Sequence, residues 1–159
     1  MANDTNRYGF TYDSNLVLKD PGLIAASAAG QVNGKNQLID VGDGVYWGAA
    51  VIDWTACEVD SSNELYTVSV QGALRGTGST RDVPVLDTSH IENLAMADFG
   101  HTSVRKGAAE TSPSSGRMIL PFRNVVADTT YQILRAYITV AGTIATGFNV
   151  GIWIGKLPI

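Results

Sequence analysis

Cysteine is nearly absent, and Cys57 on its own cannot form an intramolecular disulfide. Histidine is equally scarce: His90 and His101 stand in separate polar stretches, far from Cys57 in sequence. The three or four convergent ligands of a metal site therefore have no spacing signal, and no metal or other cofactor is expected. Basic runs are missing too. With a net charge of −4 and no basic stripe, a neutralising grip on a phosphate backbone is not expected, which argues against nucleic acid as a partner. No apolar run approaches the ~18 residues of a membrane span, so the chain is expected to be soluble, with no membrane partner. The polar start Met1-Ala2-Asn3-Asp4-Thr5-Asn6 lacks the apolar centre of a signal peptide. Synthesis and use without export are expected, and the Asn3-Asp4-Thr5 sequon then carries no meaning.

Also scarce are the Glu, Lys and Leu runs that build helices, whereas 17 glycines and frequent Val, Ile, Thr and Tyr suit sheet. The 159 residues fit one domain, large enough to bury roughly 68 to 70% of its unfolded surface. The clearest periodicity lies in the last quarter. Residues 132–140 place Gln132, Leu134, Ala136, Ile138 and Val140 on one face, and 148–154 repeat the pattern with Phe148, Val150, Ile152 and Ile154. The two runs, separated by small residues, predict a long hairpin. Ahead of them Met118, Ile119 and Leu120 form a third run stopped by Pro121, where pairing is expected to loosen.

The rest of the chain reads as sheet with irregular joints. Residues 1–15 are polar with Tyr8, Phe10 and Tyr12, too few apolar partners for a core of their own, and are expected to form an extended arm. Residues 16–18 predict a short strand closed by a turn at 19–22, and the alanine-rich 24–29 a helical turn. Residues 30–36 read as loop and 37–41 as a strand. The Gly42-Asp43-Gly44 turn leads into 45–56, a strand apolar or small on both faces, hence central or under an oligomer contact. Residues 64–74, with Tyr66, Val68, Val70 and Leu74 on one face, are expected to pair antiparallel with 45–56 across a turn at 60–63. A glycine loop at 75–82, an edge strand at 83–91, a short helix at 93–99 and a loop at 107–116 complete the reading. The fold expected is all-β: a single antiparallel sandwich of about eight strands, residues 16–159, with Val68, Val70, Leu134, Ile138, Val140, Phe148, Val150 and Ile152 in one core.

Little in this chain points to catalysis, and no enzyme activity is expected. Gly76-Thr77-Gly78-Ser79-Thr80 lacks the lysine of a phosphate-binding loop and opens no helix. Ser89 and His90 are neighbours on a strand, so their side chains point to opposite faces and cannot act as nucleophile and base. Asp40, Asp43, Asp53, Glu58 and Asp60 have two readings: a cluster at one sheet end, as a glycosidase pair or calcium site needs, or separate turn residues. Trp47, Trp54 and Trp153 lie on predicted strands, where core or subunit contact is the commoner use than a carbohydrate platform. The arm's rings pack along their own sandwich or anchor on a neighbouring subunit. The candidate capsid or subunit contacts are Arg7, Tyr8, Phe10, Tyr12, Trp47 and Trp54.

Three pieces of the sequence carry a resemblance. Ile39-Asp40-Val41-Gly42-Asp43-Gly44 precedes an apolar strand; Leu65-Tyr66-Thr67-Val68-Ser69-Val70-Gln71 ends in a polar loop; and Leu120-Pro121 is followed by an aromatic strand, 131–140, with a glycine-bearing return at 147–154. In this order they resemble the capsid cement proteins of tailed bacteriophages, small jelly-roll decoration proteins that rivet assembled heads. The likeness runs from about Gly9 to Lys156, and the chain departs from it in a longer polar arm and in the tail Lys156-Leu157-Pro158-Ile159. It implies a jelly-roll-like sandwich that binds the major capsid protein on the outside of an icosahedral head, made in the host cytoplasm and carried on the virion; a homo-oligomer is expected, dimer favoured over trimer because two-fold contacts are the commonest symmetric solution. A carbohydrate-binding, lectin-like module is the other reading of a sandwich without a catalytic constellation.

Overall fold

The computed structural model describes residues 16–59, 61, 63–100 and 115–157. The expected arm at 1–15, His101 and most of the loop at 107–116 lie outside them. The described chain is all-β, with no α-helix. Its strands are β1 (Val17–Ile24), β2 (Ala28–Ala29), β3 (Gln31–Val32), β4 (Lys35–Asn36), β5 (Ile39–Asp40), β6 (Trp47–Cys57), β7 (Leu65–Arg75), β8 (Leu86–Gly100), β9 (Gly116–Arg123), β10 (Val125–Val126), β11 (Thr129–Thr130), β12 (Ile133–Ala141) and β13 (Phe148–Lys156).

Two antiparallel sheets form the sandwich. One has the order β1-β13-β6-β9, the other β2-β12-β7-β8, with β5 sharing the edge of β12 beside β2. The pairing has a nested logic. β7 pairs with β8, β6 with β9, β5 and β2 with β12, and β1 with β13, so the chain is folded back on itself as one long ribbon and the ribbon is rolled. Rolling brings β13 beside β6 and β12 beside β7.

The core fills the space between the sheets. Val68, Val70, Leu134, Ile138, Phe148, Val150 and Ile152 are all buried in it, and Val140 packs at its margin, as the alternation predicts. Tyr66 joins them, its ring stacked at 5.1 Å on Phe148. Leu74 does not, because it lies past the last β7–β12 pair, Ala73 with Ile133, where the second strand of the ladder has ended.

Pairing partners differ from expectation in two places. Residues 132–140 and 148–154 are consecutive strands but not a hairpin: β12 and β13 belong to opposite sheets. The same holds for β6 and β7, which the sequence reading joined. In both cases each strand is apolar on its inner face, and alternation records that face without recording the neighbour. Residues 93–99 are part of the 15-residue edge strand β8 rather than a helix, because the ladder to β7 overrides the helix preference of Leu94, Ala95, Met96 and Ala97. Residues 24–29 are the end of β1 and β2, not a helical turn. The expected turn at 19–22 is a bulge inside β1, where Asp20 and Pro21 leave the ladder between Lys19 and Gly22. Residues 30–36, read as loop, contain the β3–β4 hairpin, whose Asn33 and Gly34 both have positive φ (54° and 78°). The Asn-Gly pair is the signature of that turn. Finally, Pro121 does not loosen pairing: Ala49 faces it in an unbroken register. β9 is an edge strand, so a missing N–H can point away from the sheet.

Candidate interaction face

The sheet β1-β13-β6-β9 has a second apolar surface, on the side away from the core. On β6 the even positions Ala50 and Ile52 enter the core, while the odd positions Ala49 and Val51 point outward and are nonetheless buried. Ile119 of β9, Trp153 of β13 and Leu157 pack around them. The central position of β6 explains its two apolar faces.

Two arginine–tryptophan pairs frame this patch. Arg123 faces Trp47 directly in the β6–β9 register, and its guanidinium lies 5.1 Å from the indole. Arg117 lies 5.1 Å from the ring of Trp153 and donates to Asp53 from Nε (2.7 Å) and Nη2 (3.0 Å). A planar guanidinium stacked on an indole is held in place while its edge stays available. Beside Trp153 a groove of about 260 Å³ is lined by Val17, Pro21, Asp53, Thr55 and Asn149, among others.

Of the six contact residues named from sequence, Trp47 stands on this face, 39% exposed. Trp54, at an even position, turns the other way and packs against the core edge-on to Phe99, ring centres 5.0 Å apart. Arg7, Tyr8, Phe10 and Tyr12 lie outside the described residues. Sequence reasoning missed Arg117 and Arg123, named Asp53 only among the carboxylates, and left Trp153 between core and subunit contact. The alternation of Arg117, Ile119, Pro121 and Arg123 was the available signal, but its meaning depends on β9 lying next to β6.

The described carboxylates do not form one cluster: Asp40 and Asp43 meet at Arg75, while Asp53 and Glu58 have other partners. Asp40 receives Nε and Nη2 of Arg75 at 2.6 and 2.8 Å and the Gly42 N–H at 2.8 Å, and Arg75 also donates to Asp43. The Arg75 hydrogen bonds hold the Asp40 carboxyl below the usual range. Glu58 accepts the backbone N–H groups of Ala145, Thr146 and Gly147, and these bonds, Thr146 first, lower its pKa. Glu64, fully buried, accepts the N–H groups of Ser61 and Asn63. Asp40, Glu58 and Glu64 thus hold turns and loops in place, Asp53 pairs with Arg117 across the sheet, and Asp60 lies outside the described residues. Among the described residues no group of three or more His, Cys, Asp and Glu is placed to hold a metal ion. His90 sits 3.2 Å from Glu92 and stacks on Tyr131.

Two buried polar groups are structural. Asn124 accepts from the Tyr46 N–H (2.6 Å) and donates to the Gly44 and Tyr131 carbonyls (3.2 and 2.8 Å), joining the entry of β6 to the exit of β9. Lys19 donates to the carbonyls of Asp20, Gly22 and Val150, which closes the β1 bulge over β13; burial lowers its pKa. Compared with protein-family models, curated proteins and solved structures, the chain matches none.

Proposed function

We propose that this protein is a capsid cement protein of a tailed bacteriophage, binding as a homo-oligomer, most simply a dimer, to the outer surface of the major capsid protein lattice and stabilising the head. The observation that carries the reading is the outward face of β6 and its neighbours. Tryptophan and arginine, the side chains most enriched in interface centres, stand there around a packed aliphatic patch on a rigid sheet. The rolled ribbon of nested pairs supports a jelly-roll-like winding of the sandwich, the architecture that the resemblance implies. Cementing needs many modest contacts, because a subunit that bridges two capsomers gains effective concentration for its second contact. Two-fold contact is favoured as the commonest symmetric solution.

The test mixes purified protein with undecorated heads and measures copies bound and the temperature of genome release. Saturable binding with a higher release temperature is expected; protein that binds no head refutes the reading. The groove beside Trp153 supports the second reading, a saccharide site, since it sets an indole next to the carboxylate, hydroxyl and amide of Asp53, Thr55 and Asn149. Saturable glycan binding that Trp153→Ala abolishes would favour it.

A further inference from the structure

The outer face of the other sheet carries a cation and an anion that do not meet. The even positions of β7 and β12 enter the core, so the odd ones turn outward, in rows across β12, β7 and β8 led by Arg135, Tyr137 and Thr139. In the first row Arg135 Nε donates to Gln71 Oε1 (2.8 Å) and Gln71 Nε2 to Asn93 Oδ1 (3.0 Å). In the third, Thr67 Oγ1 donates to Asp98 Oδ1 (2.8 Å).

Both charges are held in place and neither is neutralised. The Arg135 guanidinium lies 5.3 Å from the Tyr137 ring, and its Nη1 and Nη2 have no acceptor among the described residues. Asp98 is exposed, and the ion pairs of the described residues include neither it nor Arg135. Burial lowers the pKa of the guanidinium, an effect that a neighbouring carboxylate would oppose. A half-buried cation without an acid is a costly state that a partner's carboxylate relieves.

Between the two charges the surface has the make-up of an interface centre. Ser69 is small and only 3% exposed, and its row mates are Tyr137 and the 54%-exposed Met96, side-chain types enriched where proteins meet. Strands about 4.8 Å apart and alternate residues about 6.8 Å apart put Arg135 and Asp98 roughly 17 Å from each other, with Ser69 at the midpoint.

We infer that this face binds a second copy of the chain, face to face, about a two-fold axis crossing Ser69, with Arg135 of each copy paired to Asp98 of the other. An axis lying in the contact plane, perpendicular to the line joining the charges, lays both unlike pairs together in one rotation. The fork of Nη1 and Nη2 suits a carboxylate. An acidic patch on another protein would answer Arg135 but set Asp98 against a surface of its own sign, so the second copy is the better occupant. Such a dimer leaves both β6 faces free and opposed; under the cement reading it would stand as a wedge between neighbouring capsomers. The contact itself does not depend on that reading.

The experiment measures dimer dissociation by sedimentation for wild type, Arg135→Glu, Asp98→Arg, the double variant and an equimolar mixture of the two single variants, with melting temperature in parallel. A contact of three strands by three rows is at the small end of specific interfaces, so wild type is expected to dissociate at roughly micromolar concentration, and more readily as NaCl rises. Each reversal sets like charges together twice per dimer and should weaken it at least about tenfold. The double variant and the mixture both restore unlike pairs and should return to within about threefold of wild type. If Arg135→Glu does not fold, Asp98→Arg alone carries the test and must weaken the dimer to the same extent. Wild type that stays monomeric up to about 0.1 mM overturns the contact, as does a dimer that either reversal leaves intact or that neither the double variant nor the mixture restores. No head enters the measurement, so its failure leaves the cement reading standing, and failure of that reading leaves the contact standing.

Discussion

At the scale of single residues, Glu58 and Asn124 are satisfied in ways that make their effects calculable in sign. Glu58 carries a pKa lowered in the folded state by the N–H groups of residues 145–147. The stability this contributes is present above the unfolded value of about 4.3 and is lost as pH falls through the folded one. Glu58→Gln should therefore melt below wild type at pH 7, with the gap closing below about pH 4. A gap that persists unchanged in acid would show that packing, not charge, is what the substitution removes. Asn124 makes a different case, because it bonds one N–H and two carbonyls without ionising. Asn124→Ala leaves the buried Tyr131 carbonyl and the part-buried Tyr46 N–H and Gly44 carbonyl without this partner and should cost about 3 kcal/mol, or roughly 6 to 12 °C, at any pH, read by thermal melting. None of these roles was legible in the sequence, where Glu58 and Asn124 look like ordinary turn residues and gain their partners from segments 87 and 7 positions away.

At the scale of elements, burial was legible and adjacency was not. The inner faces of β12 and β13 follow the alternation residue by residue, so Ile138→Asp, which puts an unpaired charge among fully buried side chains, should abolish soluble folded protein. The adjacent Thr139 points outward, and Thr139→Asp should change stability by no more than about 0.5 kcal/mol. Circular dichroism of the two variants checks the face assignment, and equal behaviour would refute it. Which strands pair was not legible, because a strand carries no mark of its sheet. That is why the arginine–tryptophan pairs escaped notice: Trp47 was visible as a tryptophan on a strand, but Arg123 and Arg117 acquire their rings only through the β6–β9 register and the neighbouring β13.

At the scale of the whole molecule, the cement reading asks which surfaces would meet a head. The sandwich offers the β6 face, and residues 1–15 add Tyr8, Phe10 and Tyr12 in a segment without enough apolar partners for a core of its own. Under the cement reading, deletion of residues 1–15 should leave a cooperatively melting domain whose occupancy on undecorated heads falls sharply, with genome release at lower temperature. Equal occupancy and release would remove the arm from the mechanism.

The nested ribbon also dictates an order of assembly in time. Of its four main pairings, only β7 with β8 is closed by a short loop, residues 76–85; each of the others encloses a longer stretch of chain, up to β1 with β13. Closure entropy rises with the enclosed length, so the ribbon should zip outward from that loop, at the millisecond-to-second pace of folds dominated by distant pairings. During synthesis β6 emerges long before β13, its second neighbour, and must wait with an inner and an outer apolar face until residues 148–156 follow. A chain interrupted before then has no completed sheet to present, so only a finished product can carry the face that we assign to the head.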